Sequence, residues 1–334
     1  MKVSYPAYYK KFRCLASACP DTCCKDWDIE IDEKTEAFYR SIPGETGERL
    51  RQFMAEEDGV TVVRQSEGHC PMLTEDGLCG IQLRYGEQAL CEVCRTFPRL
   101  HHDYGTFLER DLEMSCPEAA RLLLTEGDAP VCTEEVPGGE EPGYDPEEMK
   151  ILLKSRKKAL ELLADPRFTV PEAMALLLFY GCSVQEELYG MEEEEFLPEQ
   201  ALKTGRELAK KENAESLLTF YKKLEILTEE WKNRLECPDR TGDWTEMHRN
   251  FLRYGIRRYW LQAVSDGDLT ARIKMILSGC LLIHSLGGDV FRTSQLYSKE
   301  IENDPENVDA ILSAAYSEPA FTDLYLLGLL LKEK

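Results

Sequence analysis

Cysteine is the residue type whose spacing in this chain points to chemistry. The stretch "CLASACPDTCCKDW", residues 14–27, holds four cysteines in the pattern C-x4-C-x3-C-C. Three more groups follow: Cys70 and Cys79 in "CPMLTEDGLC", Cys91 and Cys94 in "CEVCRTFPR", and Cys116 in "EMSCPEAAR". Nine of the thirteen cysteines thus lie between Cys14 and Cys116. Thiolates are soft ligands that suit zinc or iron–sulfur clusters, and a closed site of either kind takes four of them. Nine cysteines fill two such sites with one left over, or one site plus structural residues. The adjacent pair Cys23 and Cys24 fits a cluster or two neighbouring ions better than a single tetrahedral ion.

Disulfides are the competing use of cysteine. The chain shows no apolar leader segment with a small-residue cleavage site, and no run of about 18 apolar residues. A cytoplasmic, reducing setting is expected, and there disulfides rarely persist. An odd total of thirteen also rules out complete pairing within one chain. The motif C-x3-C-x2-C of radical S-adenosylmethionine chemistry is not met. Cys19 and Cys23 supply the first interval, but Asp26 occupies the next required place.

The formal net charge is -22 over 334 residues. A nucleic-acid binder needs a basic face to neutralise phosphates, so nucleic acid is excluded as a partner, as are anionic membrane surfaces. A cationic substrate or basic peptide is the better match.

The elements that must position the cysteines fall into two halves. Residues 134–148, "EEVPGGEEPGYDPEE", hold three Pro, three Gly and seven acidic residues. This reads as a surface linker between a cysteine-rich module, residues 1–133, and a helical domain, residues 149–334. In the first half, "WDIEID" and "VTVVRQ" alternate as short strands, and "DEKTEAFYRSI" and "ETGERLRQFMAEE" read as short helices. In the second half, "PEEMKILLKSRKKALELLA" opens with Pro and acidic residues, as a helix start should. "PEAMALLLFYGCSVQEEL" and "LTARIKMILSGCLLIHSL" are apolar at helical spacing. Helices are also expected around "WTEMHRNFLRYGIRRYWLQAV", "ENVDAILSAAYS" and "EPAFTDLYLLGLLLKE". The fold class is mainly α, with a loop-rich N-terminal metal module carrying short strands.

The words "YPAYYKKFRCLASACPDTCCKDWDIEID", "CPMLTEDGLCGIQ", "CRTFPR" and "SCPEAAR", spanning residues 5–121, carry a resemblance. The chain resembles the flagellin lysine-N-methylase (FliB-like) family. The same words occur in a wider group of cysteine-rich proteins described as zinc- or iron-chelating. The resemblance implies transfer of methyl groups from S-adenosylmethionine to lysines of flagellin or another lysine-bearing protein. It also implies a four-iron cluster, with zinc as second choice, held by Cys14, Cys19, Cys23, Cys24, Cys70, Cys79, Cys94 and Cys116. Cys91 falls outside that shared set.

No glycine-rich strand-to-helix turn marks a methyl-donor pocket. Arg95 and Arg99, next to Cys94, are the candidates for holding the donor's carboxylate; a bond to cluster sulfur or a surface ion pair is the plainer reading. His101 and His102 are further possible ligands, though the cysteines suffice. Trp27 either shields a metal centre or anchors a local core. Trp244 and Trp260 read as core, and "MEEEEF" as a solvated face. The competing function is a non-catalytic metal-binding or redox-sensing adaptor.

Overall fold

The computed structural model describes residues 1–57, 59–239 and 242–332. Among the described residues there are fifteen α-helices and seven short strands, so the chain is mainly α. The strands form two sheets: β1 (Lys2–Pro6), β2 (Ile29–Ile31), β3 (Met54–Glu57), β4 (Val60–Val63), β5 (Arg99–Asp103), β6 (Phe107–Leu112) and β7 (Val131–Glu135).

The expected helices form, except that the one read over "ETGERLRQFMAEE" stops at Phe53 and its last four residues, Met54–Glu57, are strand β3, drawn into pairing with β4. Pro146–Ala164 starts behind Asp145, whose carboxylate accepts from the Glu147 amide. Val170–Leu188 is closed by a capping box between Thr169 and Glu172, which satisfies orphan donors at both ends of the pair. Leu269–Leu286 is long and apolar enough to cross a membrane, but 83% of it is buried inside the fold. It is the central helix of the core. Val170–Leu188, Glu246–Tyr259 and Pro305–Ser317 pack around it, and Asp323–Leu331 packs in turn on Val170–Leu188.

The strands read from alternation also form: Ile29–Ile31 and Val60–Val63 pair in the sheet β2-β4-β3. The second sheet was not foreseen. Its order is β5-β6-β1-β7, with β1 parallel to β6 and antiparallel to β7. Val3 faces Leu108 on one side and Glu134 on the other. Glu134 and Glu135, expected in a linker, therefore end a strand. Lys10 at 3.2 Å and Arg110 at 3.0 Å pair with the Glu134 carboxylate.

Two apolar cores organise these elements. The larger contains the helices, and also Tyr8, Phe12, Leu112 and Met114 from the N-terminal sheet region. The smaller is built from Ile29, Ile31, Tyr39, Ile42, Leu50, Val63, Met72, Ile81, Ala89, Leu90 and Cys91. The N-terminal sheet thus packs with the helical core, and the segment from about Trp27 to Phe97 forms a compact unit of its own.

A candidate thiol site

The smaller core is also where the thiols gather. Cys24, Cys70, Cys79, Cys91 and Cys94 all line one cavity of about 40 Å³, walled by Ile29, Tyr39 and Met72 among others. Local hydrogen bonds set each position. The Cys70 amide donates to the Cys24 carbonyl at 2.7 Å. Leu73 N–H returns to the Cys70 carbonyl at 2.9 Å and Gly80 N–H to the Met72 carbonyl at 2.8 Å. These two bonds fold the segment between Cys70 and Cys79 so that both sulfurs face inward. Gly77, at φ +72°, supplies the left-handed residue which that turn needs. Cys91 is the N-cap of the helix Glu92–Thr96, and Cys94 lies one turn along it.

A second group lies beside the first. Cys19 is within electrostatic reach of Cys14 and Cys23, and Cys116 within reach of Cys19 and Cys23. Cys116 itself caps the helix Pro117–Thr125 of the larger core. Cys23 and Cys24 connect the groups, the Cys24 thiol donating to the Cys23 sulfur. All thirteen cysteines are free. As the side chains stand, no three Cys, His, Asp or Glu groups among the described residues are drawn together closely enough to hold one ion.

Burial and mutual hydrogen bonding separate the thiols into two kinds. The hydrogen bond from Cys24 brings Cys23 down to about 7, against the effect of burial. The bond from Cys94 likewise lowers Cys91. Their donors, Cys24 and Cys94, are raised, first by that bond and then by burial. Burial, ahead of the neighbouring sulfurs and against backbone hydrogen bonds, pushes Cys70 up to about 11 and Cys116 up to about 12. Within each pair one thiol is thus lowered and its partner raised.

The sequence-derived candidates are placed as follows. The eight cysteines assigned by resemblance fall in the two groups just described. Cys91, outside that set, is 1% exposed and shares the cavity with Cys24, Cys70, Cys79 and Cys94. Its neighbour Cys94 was the available signal, since C-x2-C is a usual ligand spacing. Arg95 is exposed at the end of its short helix, and Arg99, on β5, stacks over the Phe12 ring at 5.2 Å. Neither lines the thiol cavity. His101 bonds the Tyr9 hydroxyl at 3.3 Å and no thiol lines the cavities beside His102. Trp27 packs against Phe97, with ring centroids 6.2 Å apart. Trp260 is fully buried and donates to Ser155 Oγ at 3.0 Å, while Trp244 stacks on His284 at 3.8 Å.

A larger cavity of about 750 Å³ opens between β5 and the 139–144 segment. Its walls include His102, Asp103, Tyr104, Glu140, Glu141 and Tyr144. Burial holds His102 down to about 4, so its ring is neutral at physiological pH.

Comparison with known proteins adds identity to this geometry. No family model and no solved structure matches the chain. Over 144 residues it is 33% identical to "Lysine-N-methylase" of Salmonella typhimurium, which covers 40% of this chain and 35% of that protein. A "Lysine-N-methylase" of Salmonella choleraesuis is 32% identical over the same length and shares. "Flagellar biosynthetic protein FliU" of Salmonella muenchen is 33% identical over 139 residues, 38% of this chain and 79% of FliU. The chain spans about a third of the length of the lysine-N-methylases it matches. With four-fifths of FliU covered at that identity, the chain belongs to the FliB-like family.

Proposed function

We propose that this chain is an S-adenosylmethionine-dependent protein-lysine N-methylase acting on flagellin or another lysine-bearing protein, and that its clustered thiols hold a metal centre. The observation that carries the activity is the identity to two proteins named lysine-N-methylase. The donor set supports the metal: five sulfurs face one apolar cavity, and four more stand beside it, all of them free. Soft donors in that number fit an iron–sulfur cluster first and zinc second. Cys24, Cys70, Cys79, Cys91 and Cys94 would hold the inner ion or cluster, with Cys14, Cys19, Cys23 and Cys116 available beside it. When bound, the metal supplies folding energy to a loop-rich unit with a small core.

Methyl transfer is an in-line displacement. A neutral lysine amine attacks the sulfonium methyl carbon, the carbon–sulfur bond breaks, and the electron pair leaves with the thioether. The chain's own part is to orient the amine and relieve it of a proton. The cavity beside β5 suits that part. Asp103, Glu140 and Glu141 attract the ammonium form, and the faces of Tyr104 and Tyr144 accept a cation. Free lysine ionises near pH 10.4, so almost all of it is charged near neutrality. Partial burial lowers that value and favours the nucleophilic form. The net charge of -22 draws cationic surfaces toward the protein.

The test is methyl transfer from labelled S-adenosylmethionine to flagellin by anaerobically purified protein, with lysine-free flagellin as control and metal and sulfide analysis on the same sample. Labelling that needs the lysines supports the reading, and it should rise through the mildly alkaline range. Equal labelling of the lysine-free control ends the lysine assignment. Metal without any methyl transfer makes the chain a binding adaptor.

A further inference from the structure

The helix Val290–Tyr297 runs on into a wider turn, Ser298–Glu302. Arg292, Gln295 and Lys299 follow one another at spacings of three and four residues and so share one face. Apart from the bond that Gln295 accepts from Arg292, the side-chain contacts of Lys299 and Gln295 go to residues within two positions of a cysteine. Lys299 Nζ lies 2.8 Å from Asp26 and 3.5 Å from Asp21. Arg292 reaches the same Asp21 oxygen at 3.2 Å. Gln295 donates to the Ser115 carbonyl at 2.5 Å. Asp21 stands between Cys19 and Cys23, Asp26 follows Cys24 by two residues, and Ser115 precedes Cys116.

These contacts are buried. The Lys299 side chain is 2% exposed, Asp21 5% and Asp26 17%. Lys299 also sits 5.2 Å over the Trp27 ring. A lysine in such a place is stable only if its carboxylates are where it can meet them. Asp26 has φ +74°, a left-handed conformation that an L side chain adopts at a cost. Its amide is held by the Gly68 carbonyl at 3.2 Å, and its carboxylate by Lys299.

We propose that Arg292, Gln295 and Lys299 form a clamp by which the helical core fixes the Cys19–Trp27 segment and Cys116 in a ligand-ready arrangement, Lys299 being the central positioning residue. The metal half of this statement rests on the metal centre proposed above. The clamp explains why a cysteine-rich loop with few apolar residues of its own keeps Cys23 and Cys24 beside the inner cavity. Pre-organisation of ligands by neighbouring groups is worth roughly 10–100-fold in metal affinity.

The experiment uses the full chain. Lys299→Met keeps the apolar stem and removes the charge. Asp26→Asn is the second variant, because asparagine accepts left-handed backbone and the site is partly open. Lys274→Met is the control: this lysine is also buried, 9% exposed, but pairs with Asp323 at 2.9 Å, away from the cysteines. In metal-free protein, alkylation of the half-buried Cys24 by iodoacetamide is followed by mass spectrometry. In protein as purified, retained metal is followed against rising chelator. Lys299→Met and Asp26→Asn should alkylate at least about tenfold faster and release metal at roughly 10–100-fold lower chelator, with Lys274→Met unchanged. Wild-type alkylation rates in Lys299→Met, or equal effects in Lys274→Met, overturn the clamp. If the wild type carries no metal, the metal centre fails, and the alkylation comparison still decides the clamp.

Discussion

The two cores should come apart under a single substitution. Leu50 is 1% exposed and sits in the smaller core with Tyr39, Ile42 and Ile81. Leu50→Ala removes fully buried methyl groups and leaves a cavity, which costs about 2–5 kcal/mol. About 3 kcal/mol shifts an opening equilibrium roughly 100-fold. That is a large change for a unit supported by eleven buried residues. Its effect should stay local, because Tyr8, Phe12, Leu112 and Met114 belong to the other core. Peptide-resolved hydrogen exchange on the full chain measures it. Peptides within residues 29–57 and 60–97 should lose protection by roughly two orders of magnitude, while Val170–Leu188 and Leu269–Leu286 keep theirs. Leu277→Ala, in the larger core, should instead loosen the helices together with the segments around Tyr8, Phe12 and Leu112. Equal loss of protection in both regions after Leu50→Ala would refute the division into two cores.

Three further predictions concern backbone, acid and ligands. Gly47→Ala places a Cβ 1.7 Å from the Ile42 carbonyl oxygen, so the helix Gly44–Phe53 must shift and the smaller core should open as it does for Leu50→Ala. Gly44→Ala, with φ +69° and open space around it, should cost only about 1–2 kcal/mol, and thermal unfolding compares the two. Burial, with the His284 charge, holds His248 down to about 4. The folded ring therefore binds fewer protons than the unfolded one, so its stabilisation is present at neutral pH and lost as pH falls from about 6.5 to about 4. For a residue 1% exposed the loss is about 3 kcal/mol, and His248→Gln should flatten acid unfolding across that window, followed by circular dichroism. Cys182→Ala and Cys280→Ala should keep the metal, since both thiols lie on core helices, whereas Cys23→Ala and Cys24→Ala should lose it; metal analysis after purification reads the difference.

The helices were legible because apolar residues at spacings of three and four mark a buried face and the caps are written locally, as in Thr169 and Glu172. The thiol groups were legible because ligand spacing is also local. The four-stranded sheet was not. "RLHHD" and "FLERDL" are too charged to alternate, and the partners of β1 lie more than 100 residues away. Lys299 and Arg292 were hidden for the same reason. In "FRTSQLYSKEIE" they read as ordinary surface charges, and only the fold brings Asp21 and Asp26 to them. Cys91 was left out by resemblance, and its packing against Cys94 shows where it points.

The position of β1 in its sheet bears on how the chain matures during synthesis. β1 is complete at Pro6, yet it pairs with residues 107–109 and 131–135. The entire smaller core and eight of the nine clustered cysteines are made in between. As the chain leaves the ribosome, the cysteine unit is therefore whole while β1 still waits for its neighbours. Non-local pairing of this kind forms late. Cys116 follows before β7 is made, and the Lys299 clamp arrives well after it. The order of translation thus completes the inner cavity first, since all its walls lie between Cys24 and Cys94, and brings the clamp to Asp21 and Asp26 last, so a maturation factor or free metal meets the Cys19–Cys23 segment before the helical core has closed on it.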